Sequence, residues 1–433
     1  MYVADSRASR AGSAGRAAGP GTQPARRRVA VAPTVLALGT VSLITDVSSE
    51  MVTAVLPLYL VAGLGLSPLG FGLLDGVYNG FSALVRLVGG HFADRGGGRH
   101  KLVAVFGYGI SALCKPLLLM AHTLTPIGLV LAADRTGKGL RTAPRDAMIS
   151  LSSPPGTRGR AFGVHRAMDT AGALLGPFAA FLILRATVDG YDAVFTVSFC
   201  VAAVGVLVLV LFVPSRTGTP RAEKPAVQPR SALRPTLRAA LALLRQRGLR
   251  RIAVCALLLG LATVSDSFVY LLLQHRVGVP DRWFALMPVG TAAAFLLLAL
   301  PLGRLADRAG PWRVFLAGHV ALLGAYGLLL SSWHGAALPY LVLALHGTFY
   351  AATDGVLMAA ASQSVPEELR SSGLALIQTG QAFARFVCSL AFGAVWTAWG
   401  DRTALLAAAV ALTVCAAFSV RMSPIAPTPK VSA

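Results

Sequence analysis

Twelve apolar stretches, each long enough to cross a bilayer, occupy the chain from about Pro33 to Met422. A hydrocarbon core takes roughly 20 apolar residues of helix to cross. Backbone in lipid must also satisfy its own hydrogen bonds, which leaves helices as the way to use segments of this length. The spans read as residues 33–62, 69–91, 102–121, 125–150, 161–185, 193–213, 250–275, 284–304, 313–331, 337–361, 373–398 and 402–421. An all-helical, multi-pass membrane protein is therefore expected, acting across or within a lipid bilayer.

The net charge of +21 raises the question of a nucleic-acid partner. Its distribution argues against one. Basic residues crowd the tail of residues 1–32 (Arg26, Arg27 and Arg28 among them), the loop after the second span (Arg95, Arg99, Lys101) and the loop after the fourth (Arg158, Arg160). Ten more lie between Arg216 and Arg251. The opposite side holds only Arg185, Arg276, Arg282 and Arg402. Such asymmetry places both termini and the central connection in the cytoplasm of a bacterial plasma membrane protein. The Ala/Gly/Arg-rich tail is expected to be disordered. The run that follows it continues through Asp46 and Glu50 without a small-residue cleavage site, so it reads as a retained helix. Cys114, Cys200, Cys255, Cys388 and Cys415 all sit inside apolar spans without paired spacing, which excludes a disulfide framework or a zinc site.

The chain is internally repeated. Gly90-His-Phe-Ala-Asp94-Arg95-Gly-Gly97 recurs 213 positions on as Gly303-Arg-Leu-Ala-Asp307-Arg308-Ala-Gly310. The segment ending at Arg158 recurs as the one ending at Arg370, at almost the same displacement. A duplicated unit predicts two pseudo-symmetric six-helix bundles, residues 33–213 and 250–422, with a cytoplasmic linker at 214–249 and a short tail at 423–433. Parallel repeats of this kind imply a path between the halves, near the midplane. One chain supplies both halves, so a monomer is expected.

These residues resemble the signature of the major facilitator superfamily over about residues 33–422. Its Gly-x-x-x-Asp-Arg-x-Gly loop between the second and third helices is present at Gly90, Asp94, Arg95, Gly97 and Arg99, and its echo at Gly303, Asp307, Arg308 and Gly310. The resemblance implies a twelve-helix carrier that works by rocking two halves, with these loops as a cytoplasmic gate. In the fifth span, Gly163, Gly172, Gly176 and Pro177 resemble the packing motif of the superfamily's proton-driven exporters, although Ala180-Phe181 replaces its closing Gly-Gly pair. Arg135 with Gly139 resembles a helix-4 element linked to proton coupling.

Ionisable side chains inside spans are costly and mark function. The fourth span carries Asp134, Arg135, Lys138, Arg141, Arg145 and Asp146. At about 100° per residue, Asp134, Lys138, Arg141 and Arg145 form one stripe, which cannot face lipid. Arg145 and Asp146 are assigned either to this stripe or to a cytoplasmic cap. Asp46 and Glu50, four apart on the first helix, are expected to act as a carboxylate pair that holds a proton, or to form salt bridges to Arg135 or Lys138. His165 and Asp169 share a face of the fifth helix beside Arg166, as a proton relay or a structural pair. The second helix aligns Asp75, Asn79, Ser82 and Arg86. The second half offers Asp266, His346, Tyr350, Asp354, Gln378, Gln381 and Arg385.

No nucleotide-binding Gly-x-x-x-x-Gly-Lys-Ser/Thr loop and no His-Glu-x-x-His motif occur, so neither ATP nor a metal is a predicted cofactor. The leading expectation is proton-coupled export of a small molecule. The alternatives are uptake of an anionic solute or metal chelate on Arg135, Lys138, Arg141 and Arg166, and, remotely, an intramembrane enzyme using His165 and Asp169.

Overall fold

The computed structural model describes residues 31–95, 100–154, 158–187, 190–214, 243–362 and 370–422. Gly97 and Arg99 lie outside the described residues, as do Gly90 and the side chains of Ser82, Arg86, Asp94 and Arg95 beyond their place in a helix. Most of the linker lies outside them too.

Apolar runs of this length fold here as twelve membrane-length segments. They are α1 (Pro33–Gly63), α2 (Pro68–Arg95), α3 (His100–Met120), α4 (Leu124–Leu151), α5 (Arg158–Ala186), α6 (Gly190–Phe212), α7 (Arg247–Val277), α8 (Asp281–Ala309), α9 (Pro311–Leu330), α10 (Leu338–Ser362), α11 (Arg370–Trp399) and α12 (Asp401–Arg421). Ten of them are long and apolar enough to span on composition alone. The other two, α2 and α4, have 28 residues each, and α4 falls short in apolarity because of its six charges. Exposed Leu102, Phe106 and Leu113 on α3 and Val410 and Val414 on α12 form the apolar outer surface that lipid would cover.

Two segments expected to be continuous are broken. α7 stops at Leu261 and restarts at Asp266, and α10 is interrupted at Asp354-Gly355, where Gly355 has φ +79°. Asp-Gly is a turn pair, and the positive φ suits the glycine. In α7 the backbone donor released at Val264 is taken by the Tyr326 hydroxyl at 2.8 Å, which satisfies a group that lipid could not.

The first bundle packs α1 against α5 and α6, and α4 against α2 and α3. The second packs α10 against α8 and α9, and α7 against α11. The bundles meet along α2–α11 and α5–α8. A shift of six helices converts one seam into the other, as the internal repeat requires. The α2–α11 seam is close because glycines stand at its points of nearest approach. A Cβ on Gly72 would lie 2.4 Å from the Ser389 carbonyl oxygen, and one on Gly393 would lie 2.3 Å from that of Pro68. Aromatic pairs seal the same end of the molecule, Phe71 with Phe268 at 4.9 Å and Phe181 with Trp283 at 4.9 Å.

Gly72→Leu is therefore expected to hold this end apart, since overpacking such a contact costs about 1–3 kcal/mol. Spin labels at Ser67 and Thr397, which flank the seam, should show longer separations in the variant. Unchanged separations would mean that the seam accommodates a side chain.

Candidate functional site

The charges of α4 are neutralised from three neighbouring helices, in two groups of different character. The first group centres on Asp134 and is buried. Ser111 of α3 donates to its Oδ1 at 2.5 Å, Lys115 of α3 lies 3.3 Å from the same oxygen, and Arg135 donates to Oδ2 at 2.5 Å. The guanidinium of Arg135 also sits 3.8 Å above the Tyr78 ring, a cation–π contact from α2. One carboxylate thus holds two cations away from lipid. The bonds of this group are short and its side chains are nearly fully buried.

The second group is a looser ladder along the next two turns of α4. Lys138 lies 3.8 Å from Glu50, Arg141 lies 3.7 Å from Asp46, and Arg145 lies 3.6 Å from Asp169. Arg141 also covers the Tyr108 ring at 4.4 Å. The acids come from α1 and α5, which pack closely because α5 presents glycines to α1. A Cβ on Gly172 would approach the Leu43 carbonyl oxygen to 2.5 Å, and one on Gly176 would approach that of Val47 to 2.8 Å. With α1 and α5 in register, Asp46 and Asp169 stand on facing helices, each beside an arginine of the same α4 stripe.

Several expected residues take other places. Asp46 and Glu50 each face a cation of α4, Glu50 the expected Lys138 and Asp46 Arg141 rather than Arg135 or Lys138. His165 shares a 2.9 Å hydrogen bond with Ser42 rather than with Asp169, its neighbour one turn along the same helix. α4 continues to Leu151, so Arg145 belongs to the ladder, while Asp146 sits at its edge with a side chain 45% exposed. Gly163 has no neighbour within 4 Å of a built Cβ, unlike Gly172 and Gly176, and makes no close helix contact. Lys115, Tyr78 and Tyr108 were not foreseen. The signal for Lys115 was a lone lysine inside an otherwise apolar third span.

In the second bundle, Asp266 opens the restarted part of α7 and accepts a hydrogen bond from the Tyr350 hydroxyl. His346 lies 3.6 Å from the same carboxylate, fully buried, with neither ring nitrogen hydrogen-bonded. Asp75 of α2 is buried at the seam between halves, where Ser389 of α11 donates to it at 2.7 Å and Asn79 at 3.2 Å. A cavity of about 740 Å³ lies between the bundles. Asn79 and Arg166 line it from the first half, and Tyr350, Asp354, Gln378, Gln381 and Arg385 from the second. Of the four cations expected to form an anion site, only Arg166 reaches this cavity. Arg135, Lys138 and Arg141 are held by their acids instead. Gly303 ends no close contact, Asp307 and Arg308 are exposed, and Gly310 takes φ +94° between α8 and α9.

Two six-helix bundles around a polar cavity, with charges turned inward from lipid, define a membrane transporter rather than an enzyme. The chain belongs to the Major Facilitator Superfamily, whose profile matches residues 38–389 and, again, residues 283–432. It is 29% identical over 385 residues to an uncharacterized MFS-type transporter of Methanocaldococcus jannaschii, a match covering 87% of this chain and 92% of that protein. An uncharacterized protein of Mycobacterium tuberculosis is 33% identical over 157 residues, covering 36% of this chain and 38% of its own. Among solved structures, the nucleoside transporter NupG superposes with a TM-score of 0.76 at 15% identity, covering 90% of this chain and 100% of that one. A bacterial homolog of the human lysosomal transporter Spinster, inward-facing and unoccupied, gives 0.70 at 16% identity, covering 90% and 96%. A POT peptide transporter bound to alafosfalin gives 0.69 at 14% identity, covering 92% and 96%. These structural likenesses establish the fold.

Proposed function

We propose that this transporter is a proton-coupled exporter of a small molecule, working by alternating access in a bacterial plasma membrane, with both termini cytoplasmic. The observation that carries the coupling is the ladder that sets Asp46 of α1 and Asp169 of α5 against Arg141 and Arg145, one turn apart on α4. A proton held by either acid leaves one negative charge for two guanidiniums. Its departure leaves two, and both ladder bridges tighten. Because α1 and α5 each carry one acid and α4 both cations, loading the proton changes how these helices attract one another. A ligand moves a conformational equilibrium only through such a difference between states.

The glycine packing of α5 on α1 supports the export direction, through the motif's likeness to that of proton-driven exporters. The positive-inside asymmetry supports a cytoplasmic opening, since the sealed end is the one bearing the short 64–67 and 278–280 loops.

Inside-out vesicles with an acidified lumen test the reading. Adding a transported compound should release luminal protons in the parent protein and not in Asp46→Asn. Transport without proton movement would remove the coupling. Accumulation seen only in right-side-out vesicles would reverse the direction.

A further inference from the structure

Among the described residues, the lining of the cavity between the halves is unbalanced in charge. It includes two guanidiniums, Arg166 and Arg385, and one carboxylate, Asp354. Among the described residues, the other cations of the first half's spans that face inward are engaged by acids: Lys115 and Arg135 by Asp134, and Lys138, Arg141 and Arg145 by the ladder. Arg166 is different. Its side chain is 79% exposed, and the nearest acid, Asp169, lies at 3.9 Å while also engaged by Arg145 at 3.6 Å. Arg385 is exposed in the cavity and has no ion-pair partner among the described residues. An arginine is charged at any physiological pH, so at membrane depth it takes water or an anion beside it, and an anion that enters the cavity meets both guanidiniums unneutralised.

The rest of the lining describes what accompanies that anion. Gln378 and Gln381 precede Arg385 by seven and four positions, so the three side chains share one face of α11 and offer amide donors and acceptors beside the guanidinium. Opposite polarity comes from α9 and α10, where Phe315, His319 and Phe349 form a continuous aromatic wall with ring centroids 4.7 and 5.3 Å apart.

We propose that the cavity takes an organic anion, a carboxylate or a phosphate, whose charged group lies between Arg166 of the first half and Arg385 of the second and whose apolar body rests on the Phe315–His319–Phe349 wall. The forked donors of arginine match either oxyanion. The two arginines belong to different bundles, so one ligand group is held by both. Binding therefore favours the arrangement that brings the bundles together on this side, which is the closing step a carrier needs. The inference rests on the reading of this cavity as the substrate's route.

The test measures ligand binding to the purified full chain in detergent, by thermal shift and calorimetric titration. Its probes are hydrocinnamate, phenyl phosphate, hydrocinnamyl alcohol and phenethylamine. Either oxyanion should stabilise the protein where the alcohol and the amine do not, and the stronger of the two distinguishes carboxylate from phosphate. Arg385→Gln and Arg166→Gln should each weaken the oxyanion by about tenfold or more, the effect of one charge-assisted hydrogen bond. Arg385→Lys should restore part of the loss, which separates lost charge from misfolding. Equal or tighter binding of the amine or alcohol overturns the proposal, as does full oxyanion affinity in either Gln variant, or no stabilisation by any oxyanion. The vesicle assay separates this from the coupling reading. An oxyanion that binds but moves no protons defeats only the latter, and protons driven by the amine alone defeat only the former.

Discussion

Asp134→Ala should lower the unfolding free energy of the purified protein by about 3–5 kcal/mol, the loss that follows removal of one partner from a buried ion group. The variant leaves Lys115 and Arg135 facing each other with no anion between them, each with a side chain less than a tenth exposed. It also strands the Ser111 hydroxyl, whose 2.5 Å bond ends on the missing carboxylate. Asp146→Ala is the matched control. That carboxylate is 45% exposed, and losing its bridge to Arg145 should change stability by no more than about 0.5 kcal/mol. Adding Lys115→Met to Asp134→Ala should recover part of the loss, since an apolar side chain needs no counter-charge. Denaturant unfolding in detergent reads all three, and an unchanged midpoint for Asp134→Ala would refute the structural role. Arg135→Ala belongs with this set, and its first effect should be on folding rather than on coupling.

Asp46→Asn and Asp169→Asn should each reduce substrate-driven proton movement to the level of protein-free vesicles while leaving folding intact. Asparagine keeps the shape of the acid and fixes it in a neutral form, so the pair can no longer load and release a proton. Exchange of substrate across the membrane, which needs no net proton transfer, should survive in both variants. That contrast distinguishes a lost proton site from a collapsed ladder. Retained proton movement in either variant would remove that residue from the pathway. Glu50→Gln should have the smaller effect, because Glu50 meets Lys138 at 3.8 Å, a separate rung from those of Arg141 and Arg145.

The fold was legible because hydropathy and the internal repeat act over tens of residues and survive local errors. The α4 stripe was legible for the same reason: helical periodicity fixes which side chains share a face. The choice of partner was not. Asp46 and Asp169 are 123 positions apart and come to one α4 stripe only because α5 glycines admit the α1 backbone, a contact that sequence spacing does not encode. Lys115 was overlooked because one cation barely alters the mean hydropathy of a span. Asp354-Gly355, in contrast, is a turn pair visible in the sequence, and it marks where α10 breaks.

The pairing of α4 also orders how the protein is made. A charged residue at a helix centre costs about 2.5–3.5 kcal/mol on insertion, whereas each Leu, Ile or Val returns only about 0.3–0.6. With six charges in 28 residues, α4 has no stable lodging in lipid by itself. Its counter-charges come from α1 and α3, synthesised before it, and from α5, synthesised after it. The last of its partners, Asp169, is made only with α5, so α4 is expected to gain its full set of counter-charges in the bilayer only once α5 has emerged.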